Sequence, residues 1–488
     1  MPRRSRAFFS FAIACALGFA STPSASAQEK GKPVSFINDV APILKENCFA
    51  CHDAKKKSGK FDMTTVEKLM AGGTNGEPIA PGKPQSSDLY ELMVTGEQRR
   101  MPPRDKGEAV PKDRAVIVAQ WIKEGAKIDA GIEASADLTK ELRQRWKPPV
   151  PPKAYKFPII VNAVAFTPDG KQLVVGGHHE LTVWAIDSAK LLKRVYTRAE
   201  RASAMAFLPD GKLAVAGGRP GQEGDVRIYD LKAKGKNEDG VEILDGVNDK
   251  KVLVKHLFDV DDSVLCLAVT PDGKTLAAGG CDRAVRVFDL SEGIDKAKLT
   301  QTVENHADWV LGCTLTADGK YLITAGRDKT AKVWDLKAKE SVVTFPEHQN
   351  IVYAVAVKPD GSTGFSVGAD KNIRTWKPSG EGKQVKAVGG HGDEVFKIVA
   401  DASGKFLATS SADKTVRVWD LDKVAALKTL SGLNDFVFAV AFSADGKLVA
   451  GGSYDGMVGV WSVADGKPVK LWNATPGMVA KEPAPKKK

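Results

Sequence analysis

Apolar positions along this chain fall into three regimes. From Ala7 to Ala20 they dominate a stretch of 14 residues. Between Phe36 and Ile122 they recur at helical spacing. Beyond residue 157 they come in short alternating runs, each closed by a turn of glycine and charged residues, which is the signature of strands.

In the helical regime, Ser35 is the expected cap of a helix reaching Asn47, with Phe36, Val40, Ile43 and Leu44 on one face. A second helix is predicted from Lys112 to Glu124, buried through Val118, Trp121 and Ile122 and stopped by Gly125. A glycine- and proline-rich loop over 72–84 and a short helix near Ser87 to Val94 lie between them. The pattern predicts a small all-α domain at 33–131. The segment Trp146-Lys147-Pro148-Pro149-Val150-Pro151-Pro152-Lys153 then marks an extended, semi-rigid linker, placed at 132–156.

In the strand regime a turn of the form x-D-G-K recurs, with its glycine at Gly170, Gly211, Gly273, Gly319, Gly361, Gly404 and Gly446. Ser403 replaces the aspartate in the sixth copy. The intervals are 41, 62, 46, 42, 43 and 42 residues. Units of about 40–45 residues built of short strands predict a β-propeller. Seven copies predict an all-β domain of seven blades at 157–475, with an insertion within 231–255. The fold class is therefore multidomain, helical and then all-β. Either Lys467 to Trp472 or Tyr155 to Ile160 supplies the closing outer strand. The remainder, 476–488, reads as a basic disordered tail.

The first 27 residues read as a secretory signal peptide: Arg3, Arg4 and Arg6, the apolar run, then Ala25-Ser26-Ala27 as cleavage site. The run is too short to span a bilayer comfortably, so no transmembrane segment is expected in the mature chain. Arg6 stands where a twin-arginine signal needs a large apolar residue. These features place the protein outside the cytoplasm, in the periplasm or an equivalent compartment. The formal charge of +11 becomes +8 once the three arginines are removed. Such a charge suits an acidic protein partner. Nucleic acid is not expected, because no recognition motif accompanies the charge.

The chemistry concentrates in Cys48-Phe49-Ala50-Cys51-His52. This C-x-x-C-H run is the attachment signature of a c-type haem. Cys48 and Cys51 would form the two thioethers, and His52 would be the proximal iron ligand. A zinc site would need a second pair of ligands, and a redox dithiol a βαβ context; neither is present. Among Met63, Met70, Met93 and Met101, the distal ligand is assigned to Met101, because Pro102 and Pro103 fix an extended loop behind it. One covalent haem c per chain is expected. Lys55, Lys56, Lys57 and Lys60 follow the motif and could steer an acidic redox partner. Cys266, Cys281 and Cys313 read as small core residues rather than disulfide partners.

Two resemblances follow. Asp39-Val40-Ala41-Pro42-Ile43-Leu44, the haem run, Pro81-Gly82-Lys83-Pro84, Met101-Pro102-Pro103 and Trp121-Ile122-Lys123-Glu124-Gly125-Ala126 together resemble the planctomycete-type cytochrome c domain. In the repeats, Asp282, Asp328, Asp370, Asp413 and Asp455 each precede Phe288, Trp334, Trp376, Trp419 and Trp461 by six residues. His306, His348 and His391 precede the matching aspartates by 22 residues. With Trp334-Asp335 and Trp419-Asp420, this pattern resembles the WD-repeat family. The resemblance implies an aspartate–histidine–tryptophan network inside each such blade. Blades one and two displace the aspartate, and Leu433 replaces the last histidine, so packing is expected to hold these blades.

Gly364-Phe365-Ser366-Val367-Gly368 matches a serine-hydrolase elbow, but no helix follows it. The acidic insertion with Glu238, Asp239, Glu242 and Asp245 lacks a calcium-loop spacing. The expected function is electron transfer by an exported mono-haem cytochrome, with the propeller as a protein-docking platform. The alternative is a haem-linked oxidoreductase whose propeller binds a substrate and passes electrons to the haem.

Overall fold

The structure, a computed structural model, describes residues 33–96 and 99–478. The expected signal peptide and residues 479–488 of the expected tail lie outside the described residues. The chain divides into two compact units at Trp146/Lys147.

The first unit is helical. Ser35 caps the first turns as expected, its hydroxyl accepting from the Asn38 N–H, but the helix opens as a wide π-turn, Phe36–Val40, before becoming α1, Ala41–Asn47. Two carboxylates far along the chain pin this start: Val34 N–H donates to Glu124 and Ile37 N–H to Asp129. Then come α2 (Val66–Ala71), α3 (Asp88–Val94), α4 (Lys112–Lys123) and α5 (Leu138–Arg145). Phe36, Leu44, Met63, Leu69, Trp121 and Leu138 form the centre of one core. Each such side chain contributes about 1.5–3 kcal/mol on leaving water. The Trp121 ring packs on Phe36 at 5.1 Å, and its indole N–H donates to the Lys127 carbonyl.

Helix α5 falls inside the stretch read as extended linker. Asp137 caps it through the N–H groups of Thr139 and Lys140. Leu138 is buried, and its N–H donates to Thr64. Residues 138–145 thus belong to the helical structure of the first unit, and the proline run that follows carries no regular structure.

Among the described residues the second unit comprises six sheets, antiparallel throughout except for one parallel pair in the first. The second to sixth each have four strands and begin with Val264–Val269, Val310–Leu315, Val352–Val357, Val395–Ala400 and Val437–Phe442. These first strands pack each on the next. All seven turns form, including the fifth, where Ser362 stands in place of the lysine. Each turn glycine has a positive φ of 67–86°, which glycine alone adopts without strain, and its N–H donates to the carbonyl three residues back. The first sheet has nine strands. Its long member, Lys190–Phe207, pairs with His178–Ala185 through its first part and with Leu213–Arg219 through its second.

The insertion forms a hairpin, Lys236–Glu238 and Val241–Asp245, whose second strand pairs in parallel with Lys190–Phe207. Glu238, Asp239 and Glu242 pair with Lys236, Lys153 and Lys193, and Asp245 caps a turn. Pro468–Asn473 is the fourth strand of the sixth sheet, whereas 155–160 forms no strand. Side chains from the first and sixth sheets, among them Val164, Trp184, Val460 and Trp472, share one core. At the end of the unit Tyr155 N–H donates to Pro476 and Met478 N–H to Thr475, so residues 476–478 are fixed.

Candidate haem site and the blade networks

Helix α1 delivers the C-x-x-C-H run directly from its last turn. Cys48 N–H donates to Leu44, and both Cys51 and His52 N–H donate back to the Cys48 carbonyl. One tight turn therefore carries both thiols and the imidazole. The cysteines are free and half-buried. Burial, and then the charge of Cys51, pushes the Cys48 thiol up to about 12. The His52 ring packs against Phe61 at 5.2 Å, and its buried Nδ1 has no hydrogen-bond partner among the described residues. A buried imidazole with an unsatisfied nitrogen beside two unpaired thiols is the donor set a c-type haem requires.

The four methionines separate by environment. Met63 and Met93 are core residues and Met70 packs against that core. Met101 is 41% exposed. Its N–H donates to Leu92, and the loop behind it folds on itself through Lys106 and Gly107 N–H bonds to the Pro103 carbonyl. The Lys106 ammonium is raised by its hydrogen bond to Asp105. Met101 lines a cleft of 470 Å³ with Leu92, Pro103, Arg99, Arg100 and Arg104. Arg100 donates through Nη2 to the Gly107 carbonyl, while its buried Nη1 has no partner among the described residues. Asp88 also lines the cleft, but the three arginines leave it net positive, which suits a group with acidic substituents. The sequence reading missed it because the arginines belong to no motif. Lys55, Lys56, Lys57 and Lys60 are exposed, and the Lys56 ammonium covers the Ala50 carbonyl inside the motif.

In the sheet unit three histidines are fully engaged. His306 bonds Asp328 through Nδ1 (2.9 Å) and Thr324 through Nε2 (2.7 Å), and Trp334 donates to the same hydroxyl. His348 repeats this with Asp370, Ser366 and Trp376, and His391 with Asp413, Thr409 and Trp419. Ser366, His348 and Asp370 have the connectivity of a hydrolytic triad. Yet Ser366 is wholly buried on the strand Gly364–Gly368, with an indole N–H on its oxygen, so no substrate can reach it.

The first and second sheets lack this network and carry ion pairs besides their apolar cores. In the first sheet Arg194 donates through Nε and Nη2 to buried Glu180, whose carboxylate also accepts from Tyr155. Nearby, Glu223 takes Arg198 and Arg219, and Asp225 takes Arg227. In the second sheet Asp282 pairs with Arg286. In the first two sheets ion pairs accompany the packing where the histidine network is missing, whereas in the sixth Leu433 lies in the apolar core. The Arg194 guanidinium also holds the Pro152 carbonyl, so the proline run is tied to the first sheet.

Among the described residues no helix is long and apolar enough to cross a membrane. The planctomycete cytochrome C family model matches residues 48–105, spanning both the haem run and Met101. The WD domain, G-beta repeat model matches five times, at 249–289, 297–335, 339–377, 382–420 and 425–462. Curated relatives match in the repeats. A nuclear distribution protein PAC1 of Coccidioides posadasii is 26% identical over 175 residues, 31% of this chain and 35% of that protein. The PAC1 protein of Gibberella zeae is 34% identical over 174 residues, 31% and 36% of the two chains. Protein HIR1 of Kluyveromyces lactis is 27% identical over 178 residues, 36% and 17%. The chain thus spans about a third or less of the length of these relatives. It carries a planctomycete-type cytochrome c domain fused to a series of WD repeats.

Proposed function

We propose that this protein is an exported mono-haem c-type cytochrome that transfers electrons, with its WD repeats serving as a docking platform for a protein partner. The observation that carries this reading is the single turn that presents Cys48, Cys51 and an imidazole with an unsatisfied nitrogen. Cys48 and Cys51 would hold the haem covalently, with His52 and Met101 on its iron. Such a group supplies reversible one-electron chemistry, and methionine ligation raises its potential. The chain's own contribution is to shield one side with Phe61 and the core, to place Arg100 where acidic substituents can be neutralised, and to leave Lys55, Lys57 and Lys60 in water for a partner of opposite charge.

In this reading the nine-stranded sheet is two blades joined through Lys190–Phe207, which makes seven. The core shared by the first and sixth sheets supports closure of the ring. The leader at 1–27 would direct export, where haem attachment to an unfolded chain can follow.

A redox titration of the full-length protein, matured in a host with c-type haem attachment, tests the function. A reversible one-electron transition whose potential falls when Met101 is replaced by histidine is expected. A chain with no redox-active chromophore, or a potential indifferent to Met101, contradicts it.

A further inference from the structure

The first strands of the second and third sheets bring two cysteines together. Cys266 lies on Val264–Val269 and Cys313 on Val310–Leu315, and these strands pack side by side. Cys266 Sγ donates to the Gly279 carbonyl at 3.5 Å. Cys313 Sγ crosses to the neighbouring sheet and donates to the Ala277 carbonyl at 3.8 Å. Ala277 and Gly279 are two residues apart on one strand, so both acceptors serve the same stretch of backbone. Glycine at 279 makes the fit possible: a Cβ there would stand 3.3 Å from Cys266 Sγ. Both thiols belong to one core cluster.

Cys313 keeps partial exposure to solvent, whereas Cys266 is buried. A hydrogen bond with Cys266, and then burial, raise the Cys313 thiol well above its ordinary value. Burial, then Asp262 and Asp282, push the Cys281 thiol up to about 12.

We propose that Cys266 and Cys313 are a redox-active dithiol that closes into a disulfide between the second and third sheets. The oxidant is a small disulfide. The Cys313 thiolate attacks one of its sulfurs, forming a mixed disulfide and releasing one thiol. Cys266 then attacks the Cys313 sulfur and releases the second. Two protein thiols and one external disulfide become one protein disulfide and two external thiols. The inference is independent of the haem reading.

The test is peptide mapping without reduction. Full-length protein is reduced, freed of reductant, exposed to oxidised glutathione, and then alkylated and digested with trypsin. Cleavage after Lys274 separates Cys266 from Cys281. A cross-linked peptide pair carrying Cys266 and Cys313, two hydrogens lighter than its parts, with Cys281 alkylated, is expected. Separate alkylation of Cys266 and Cys313 in protein that keeps its native circular dichroism would overturn the pair.

Discussion

His52 and His391 show how the two units use one residue type differently. His391 is buried with both nitrogens engaged, by Asp413 and by Thr409, so its bonding capacity is spent inside the blade. His52 is held by backbone on a turn, with a buried nitrogen left over beside two free thiols. A satisfied polar group stabilises, whereas an unsatisfied buried one implies something still to bind. In the blade the imidazole's bonding capacity is spent on the fold, whereas at Cys48 to His52 a ring nitrogen and two thiols are left over.

The largest effects should separate these roles. Replacing Cys48 or Cys51 by serine removes a thioether sulfur and should eliminate doubly attached haem, read by haem staining of a denaturing gel. Replacing His391 by alanine should leave haem content intact and instead destabilise the sheet unit by about 3 kcal/mol, as expected when a buried hydrogen-bonded pair loses one partner. Denaturant melts of that unit measure it. Glu180→Gln should cost a similar amount in the first sheet, because it leaves the Arg194 guanidinium without its buried counter-charge.

Acid should discriminate next. Burial pushes the Asp370 carboxyl up, but hydrogen bonds from His348 and Arg374 outweigh it and bring it down from 3.8 to about 2. A carboxylate held below its unfolded value stabilises the fold above pH 4, and this stabilisation is lost as pH falls towards 2. It amounts to about 2 kcal/mol for this residue at neutral pH. Asp328 and Asp413 are lowered in the same way. Asp370→Asn should therefore flatten the acid limb of the stability profile. The smallest effect on stability belongs to Met101→Leu, within about 0.5 kcal/mol for an exposed side chain. That variant should still change the haem spectrum.

The same contrast decides what could be read from the chain itself. The seven turns and the three histidine networks were legible because a repeat states each rule several times, at fixed spacing. The haem run was legible because its chemistry is local to five residues. The ion pairs of the first sheet were not. Glu180 and Arg194 belong to no repeat, and only the fold shows that both are buried. Helix α5 was missed because the prolines that follow it dominate the composition, while its one buried apolar anchor, Leu138, gives little periodicity. Cys266 and Cys313 lie 47 residues apart, and their meeting depends on how two sheets pack.

The most direct measurement of the central claim is a pyridine haemochrome spectrum of the full-length protein, produced in a host that matures c-type cytochromes. One covalently bound c-type haem per chain is the predicted result. A folded chain without covalent haem, from a host that matures a control cytochrome, would contradict the electron-transfer reading.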